Sequence, residues 1–175
     1  MIEGYRLVSI KDVSSKSKLK EFDCGIDALD WFLSRYASKN DILGIGKTFV
    51  ALDVDDRICG YFTLSTAQVA YQEMPDDFKG KLPKYPIPAL RIAWLAVDRN
   101  QQGKGIGKWL LAQAFRKVLQ VADITGLYLI IVDAKETSRS FYERYGFLKL
   151  SNADLSYFML VDTVRKAIQS NRSSK

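Results

Sequence analysis

An α/β (α+β) fold is predicted, a mixed, twisted sheet with helices on both faces, and three observations predict it. Apolar periodicity switches in the order strand, helix, hairpin, strand, helix, strand, helix, strands. The run from Ala89 to Val132 is a strand–helix–strand unit, expected to be a right-handed βαβ with parallel strands. The segments before and after it pair as hairpins, expected to be antiparallel. The chain has 175 residues, 47% of them hydrophobic, which fits one domain, 1–175, with an ample core.

Tyr5–Ile10 alternates apolar and polar side chains and reads as the first strand. Lys11–Lys20 is Ser/Lys-rich, a loop or irregular helix. Asp23 is expected to cap a helix whose first turn is acidic, with Ile26, Leu29, Phe32, Leu33 and Tyr36 at helical spacing. Gly44 and Gly46 mark its end. Lys47–Asp53 and Ile58–Val69 read as strands joined through Val54-Asp-Asp-Arg. All the prolines, Pro75, Pro83, Pro86 and Pro88, fall in one stretch, an ordered loop or short helix. Ala89–Val97 is nearly all apolar, as in a strand buried on both faces. Gly105–Asp123 is helical, with Ile106, Leu110, Ala114, Val118 and Val121 along one side and Gly126 closing it. Leu127–Val132 reads as another buried strand and Lys135–Tyr145 as a short helix closed by Gly146. Phe147–Leu150 and Ser156–Val161 read as a final hairpin, Thr163–Ser170 as a helix, and Asn171–Lys175 as a frayed end.

Composition excludes several function classes. There is no histidine, which removes Ser-His-Asp and Cys-His catalysis and the zinc hydrolase motifs. Proton transfer is left to carboxylates, Tyr, Lys, Cys, water or the substrate. Cys24 and Cys59 are too few for a disulfide framework or a structural zinc site, so no metal is expected and both read as reduced. No apolar run reaches the length of a membrane span, and the N-terminus lacks a signal-peptide pattern, so a cytoplasmic location is expected.

Charge is unevenly placed. Between Lys79 and Lys117 nine basic residues face one acid, Asp98, a net of +8 in a chain whose total is +6. Such a block points to an anionic partner, phosphate or nucleic acid. A solvated Lys/Arg face is the other reading.

The expected chemistry centres on the turn after the buried strand, Val97-Asp-Arg-Asn-Gln-Gln-Gly-Lys-Gly-Ile-Gly-Lys. Gly103, Gly105 and Gly107 open the long helix, whose N-terminal N–H groups and dipole favour an anion. Glycine lets a ligand approach the backbone closely, and Lys104 and Lys108 add charge. A phosphate or pyrophosphate is the expected guest. The spacing matches neither the Rossmann nor the P-loop pattern, and a merely tight turn is the alternative.

Gln102-Gly-Lys-Gly-Ile-Gly resembles the (R/Q)-x-x-G-x-(G/A) signature of the GNAT N-acetyltransferases, and Phe141-Tyr-Glu-Arg-Tyr-Gly-Phe147 resembles their later F-Y-x-x-x-G-F segment. The resemblance implies acetyl-CoA as donor. Its pyrophosphate would lie on Gln102, Gly103, Lys104, Gly105, Ile106, Gly107 and Lys108, and its pantetheine against free backbone groups of Leu95, Ala96 and Val97, with Ser138 also at the cofactor. Phe22-Asp-Cys-Gly, Gly60-Tyr-Phe-Thr-Leu and Ile87-Pro…Leu95-Ala-Val-Asp further resemble the acetyltransferase toxins of bacterial toxin–antitoxin pairs, the TacT/AtaT group. That implies acetylation of the α-amino group of aminoacyl-tRNA, arrest of translation, a small DNA-binding antitoxin and a homodimer. Trp94 stands where members of that group often carry Arg.

An α-amino group, with a pKa near 7.7–8.0, is partly neutral at pH 7 and needs no strong base; a lysine near 10.4 does. The absence of histidine therefore favours an α-amine, with Glu73 or Asp133 available as base. Tyr142 is the candidate acid for the departing thiolate, by family position. Phe141 and Tyr145 are four apart and read as a packed pair, whereas Tyr142 is turned about 100° away, nearer Ser138. The alternatives are an ordinary GNAT enzyme acting on a small amine or protein N-terminus, and a non-catalytic binding module.

Overall fold

The computed structural model describes residues 4–151 and 153–173. Its strands are β1 (Arg6–Ser9), β2 (Lys47–Leu52), β3 (Ile58–Val69), β4 (Ile87–Val97), β5 (Leu129–Asp133), β6 (Leu148–Lys149) and β7 (Ser156–Leu160). They hydrogen-bond into one sheet in the order β1-β2-β3-β4-β5-β7-β6. The helices are α1 (Lys18–Glu21), α2 (Asp27–Trp31), α3 (Ala37–Leu43), α4 (Asp76–Lys79), α5 (Ile106–Ala122), α6 (Arg139–Arg144) and α7 (Val161–Ser173). The mixed α/β class is as the sequence predicts. Residues group into two compact units, Met1–Ser65 with Ile92–Ala114, and Thr66–Arg91 with Phe115–Lys175.

In the first unit β2 is antiparallel to β1 (Arg6↔Leu52) and to β3 (Lys47↔Leu64). The Asp53 carboxylate shapes the hairpin turn by accepting from the N–H groups of Asp55 and Arg57, both at 2.9 Å. The expected first helix is broken into pieces. Asp23 does not cap it: α2 begins at Asp27 after an extended Ile26, with no side-chain cap. Asp30 instead accepts from the Cys24 N–H at 2.9 Å, holding the preceding loop. Between α2 and α3, Phe32–Tyr36 form a π-helical turn. A regular helix would carry the inward row from Leu29, Phe32 and Leu33 to Tyr36. The wider turn adds a residue, so Ala37 is fully buried while Tyr36 is 54% exposed. Gly44, at φ 76°, closes α3. Phe22, Leu29, Phe32, Leu33, Val50, Tyr61 and Ala96 form the centre of this unit's core. Cys24 and Cys59 are free and buried, as expected.

In the second unit β7 pairs antiparallel with β5 (Leu129↔Leu160) and with β6 (Leu148↔Phe158), the latter being the predicted final hairpin. Val69, Met74, Ile87, Ala89, Leu129, Ile131, Leu150 and Phe158 make its core. The proline stretch contains α4, and β4 begins at Ile87, two residues earlier than expected, so that Pro88 falls inside it. Pro88 lacks an N–H but its carbonyl still accepts from Tyr128 at 3.1 Å. β4 is not buried on both faces: Arg91, Ala93, Trp94, Leu95 and Val97 remain half-buried. β4 and β5, joined by α5, are sheet neighbours, as the predicted βαβ order requires. α5 ends at Ala122, one residue before the expected Asp123, where Ile124 and Thr125 both donate to the Val121 carbonyl and fold the chain back. α7 runs to Ser173, past the expected end of the last helix; residues 174–175 lie outside the described residues.

Candidate active site

In the first unit, β4 delivers the chain into the glycine turn. Asp98 ends the strand and its carboxylate accepts from the Asn100 N–H at 2.9 Å. Gly103 (φ 78°) and Gly105 (φ 84°) take left-handed conformations that other L-residues rarely adopt. A Cβ at Gly103 would meet nothing within 4 Å, so the backbone there is open to a ligand. The first bond of the long helix is from Trp109 N–H to the Gly105 carbonyl, 3.0 Å. The N–H groups of Ile106, Gly107 and Lys108 precede it and sit at the positive end of the dipole. Lys104 and Lys108 are exposed beside them. Open backbone, aligned N–H groups and lysines suit a pyrophosphate.

Leu95, Ala96 and Val97 form the end of β4. Its neighbour β3 comes close through Gly60, where a Cβ would lie 2.7 Å from the Ala96 carbonyl oxygen and from Leu110 Cδ1. Trp94 stacks on Phe32, ring centroids 4.4 Å apart and planes 14° from parallel. Gln102 contributes differently from expectation. Its side-chain amide donates to the Val97 carbonyl and to the Cys24 carbonyl, each at 3.0 Å. Both amide protons are engaged, which leaves the backbone N–H as the donor Gln102 can offer an anion.

In the second unit, Phe141 and Tyr145 form the expected pair, centroids 5.0 Å apart. Yet Tyr142 is the buried member of α6, 6% exposed, edge-on to Phe147 at 5.5 Å. Burial pushes its phenol up to about 12, so it stays protonated across the physiological range. Ser138 closes the turn before α6, accepting from the Lys135 N–H at 3.0 Å and donating to the Lys135 carbonyl at 3.1 Å. Glu73 accepts from the Ala70 N–H at 2.8 Å. Asp133 faces Arg91 at 3.4 Å and accepts from Ser156 at 2.8 Å. Both candidate bases therefore have structural partners.

Sequence reasoning missed two arrangements. Arg139 donates to the Tyr157 hydroxyl (2.9 Å), which donates to Glu143 (3.0 Å); the four-residue spacing of Arg139 and Glu143 was the available signal. The cationic block is also partly compensated from outside. Lys79, Arg91 and Arg99 pair with Asp76, Asp133 and Asp23, none of which lies in the block. Lys81, Lys84, Lys104 and Lys108 are exposed.

A mixed sheet with a glycine turn leading into a long helix defines a class, and the match confirms it: residues 45–149 fit the acetyltransferase (GNAT) domain, and the chain belongs to that family. Within it, the chain is 33% identical over 150 residues to the tRNA-acetylating toxin of Mycobacterium tuberculosis (strain ATCC 25618 / H37Rv), spanning 85% of this chain and 89% of that protein. It is 27% identical over 154 residues to the probable toxin TacT of Sinorhizobium fredii (strain NBRC 101917 / NGR234), spanning 82% and 85%. Among solved structures, a tyrosine-to-phenylalanine mutant of KacT superposes with a TM-score of 0.85 at 25% identity, covering 94% of this chain and 99% of that one. AtaT complexed with acetyl-methionyl-tRNAfMet shares the fold, with a TM-score of 0.85 at 24% identity over 94% and 99% of the two chains.

Proposed function

We propose that this chain transfers an acetyl group from acetyl-CoA to the α-amino group of aminoacyl-tRNA, arresting translation as the toxin of a toxin–antitoxin pair. The observation that carries this reading is the 33% identity to a tRNA-acetylating toxin across 85% of the chain. The turn supports it with an anion site of the kind a CoA pyrophosphate needs. By the same reading the chain, 1–175, is one acetyltransferase domain. It works in the cytoplasm as a homodimer held in check by a small DNA-binding antitoxin; no helix among the described residues is long and apolar enough to cross a membrane.

Acetyl-CoA supplies the activated acetyl thioester. The Gln102–Lys108 backbone and the side chains of Lys104 and Lys108 hold the pyrophosphate, and the backbone of Leu95, Ala96 and Val97 orients the pantetheine. Ser138 acts by setting the entry to α6. The α-amine of the acceptor is partly neutral at pH 7 and attacks with water as sufficient base. Tyr142 keeps its proton at Oη for the sulfur as negative charge develops there. A free thiol titrates near 8.5, well below this phenol, so Tyr142 stabilises the leaving thiolate by hydrogen bonding rather than by full ionisation.

Transfer of label from acetyl-CoA to a bulk charged tRNA pool, with deacylated tRNA as control, tests the reading. Label on charged tRNA alone, released as N-acetyl-amino acid, establishes it. Absence of label with intact acetyl-CoA binding overturns it in favour of a small-amine or protein N-terminal acceptor.

A further inference from the structure

The Phe22-Asp-Cys-Gly segment has no assigned role, yet the structure binds it to the glycine turn at four points. The Arg99 N–H donates to the Asp23 carbonyl at 2.8 Å. The Asp23 N–H donates to the Asp98 carboxylate at 3.4 Å. The Asp23 carboxylate pairs with the Arg99 guanidinium at 2.9 Å. Gln102 donates to the Cys24 carbonyl at 3.0 Å. The carboxylate oxygen that meets Arg99 also accepts from the Gly25 N–H at 2.8 Å, which folds the segment back on itself. Gly25 takes φ +86°, and a Cβ there would sit 3.5 Å from the Arg99 guanidinium.

The turn needs external fastening for a physical reason. Two of its residues take left-handed conformations, and glycine loses more conformational freedom on ordering than any other residue. The glycines that admit a phosphate therefore also loosen the backbone that must meet it. Within the turn, side-chain support comes from Asp98 accepting from Asn100, Gln102 donating to the Val97 carbonyl at 3.0 Å and Lys104 donating to Gln101 at 3.3 Å. A preorganised loop binds more tightly because less is ordered on binding.

We propose that Asp23, Cys24 and Gly25 are positioning residues of the donor site, holding the Asp98–Gly105 backbone in the conformation that receives the CoA pyrophosphate. Asp23 does this through Arg99, whose charge it engages, so Arg99 braces the turn rather than gripping phosphate. The inference rests on the proposed use of acetyl-CoA but not on the identity of the acceptor.

The test is calorimetric titration of the purified full chain with CoA, which reads donor binding without turnover. Asp23→Ala should weaken CoA about three- to tenfold, and Asp23→Asn, which keeps the acceptor for Gly25 N–H, should recover part of it. Arg99→Ala should weaken CoA to a similar degree, and the double variant should be no worse than either alone, because the two act as one unit. With any acceptor, KM for acetyl-CoA should rise while kcat at saturating donor stays within about twofold. Unchanged or tighter CoA binding in Asp23→Asn and Asp23→Ala, or full additivity with Arg99→Ala, overturns the proposal. Tighter binding would instead mean that Asp23 withholds Arg99 from the phosphates. Should charged tRNA fail as acceptor, the CoA titration still decides this question separately.

Discussion

At Gly60 one methyl group is enough to disturb β4. A Cβ there would lie 2.7 Å from a backbone oxygen of β4 and from Leu110 on α5, and the backbone oxygen cannot rotate aside. Gly60→Ala should cost about 1–3 kcal/mol, seen as a lower urea midpoint at unchanged slope. Tyr142 is the other residue on which the proposed mechanism depends. Tyr142→Phe should preserve CoA binding and lower turnover on the order of 10²-fold; unchanged turnover removes it from the mechanism. Because burial pushes this phenol up to about 12, the wild-type rate should rise with pH as the acceptor amine deprotonates and show no descending limb up to pH 10. The sign for stability follows from the same shift. Below the ordinary phenol value of 10.0 both folded and unfolded chains hold the proton, so nothing changes. Above it the unfolded chain ionises first, and stability falls with rising pH.

Among the elements, the π-helical turn at Phe32–Tyr36 has the largest consequence for packing. Phe32, at its start, lies flat against Trp94, and the turn shifts every later residue of the helix by one position. Tyr36, an expected core residue, is therefore solvent-facing, and Ala37 takes the inward place with no exposed surface. Tyr36→Ser should change stability by less than about 0.5 kcal/mol, whereas Ala37→Leu should cost about 1–3 kcal/mol through overpacking. Thermal melts of the two variants check the register: the reverse order would mean that the turn is regular. The long helix needs no such correction. Of its predicted inward row, Ile106, Leu110, Ala114 and Val118 are buried and Val121, at the last turn, is half-buried.

For the whole molecule the surface charge matters most. A net of +8 between Lys79 and Lys117 includes three cations that already face acids from elsewhere in the chain. Exposed Lys81, Lys84, Lys104 and Lys108 remain for polyanions. If these contact RNA phosphates, KM for charged tRNA should rise about tenfold between 50 and 200 mM salt, the slope expected for two or three released counterions. Steady-state kinetics at several salt concentrations measure this. A flat response would leave Lys104 and Lys108 to the CoA pyrophosphate and assign Lys81 and Lys84 to solubility.

The sequence by itself determined what depends on neighbours along the chain. Strand and helix periodicities, the hairpins, and the glycines that open α5 are local patterns, so they were legible without the fold. So was the family, because the glycine turn and the Phe141–Phe147 segment are short motifs whose chemistry is local. Only the tertiary structure decided which side chains are free to act. The Gln102 side chain spends its amide protons on Val97 and on Cys24, 78 residues earlier in the chain. Asp23 looked like a helix cap and instead engages Arg99. Tyr142 looked turned away from the packed pair, yet it is the residue that α6 buries. The physical reason is common to all three. A polar side chain satisfies its hydrogen bonds with whatever the fold brings near, and a ring buries where a cavity exists; neither is written in local spacing.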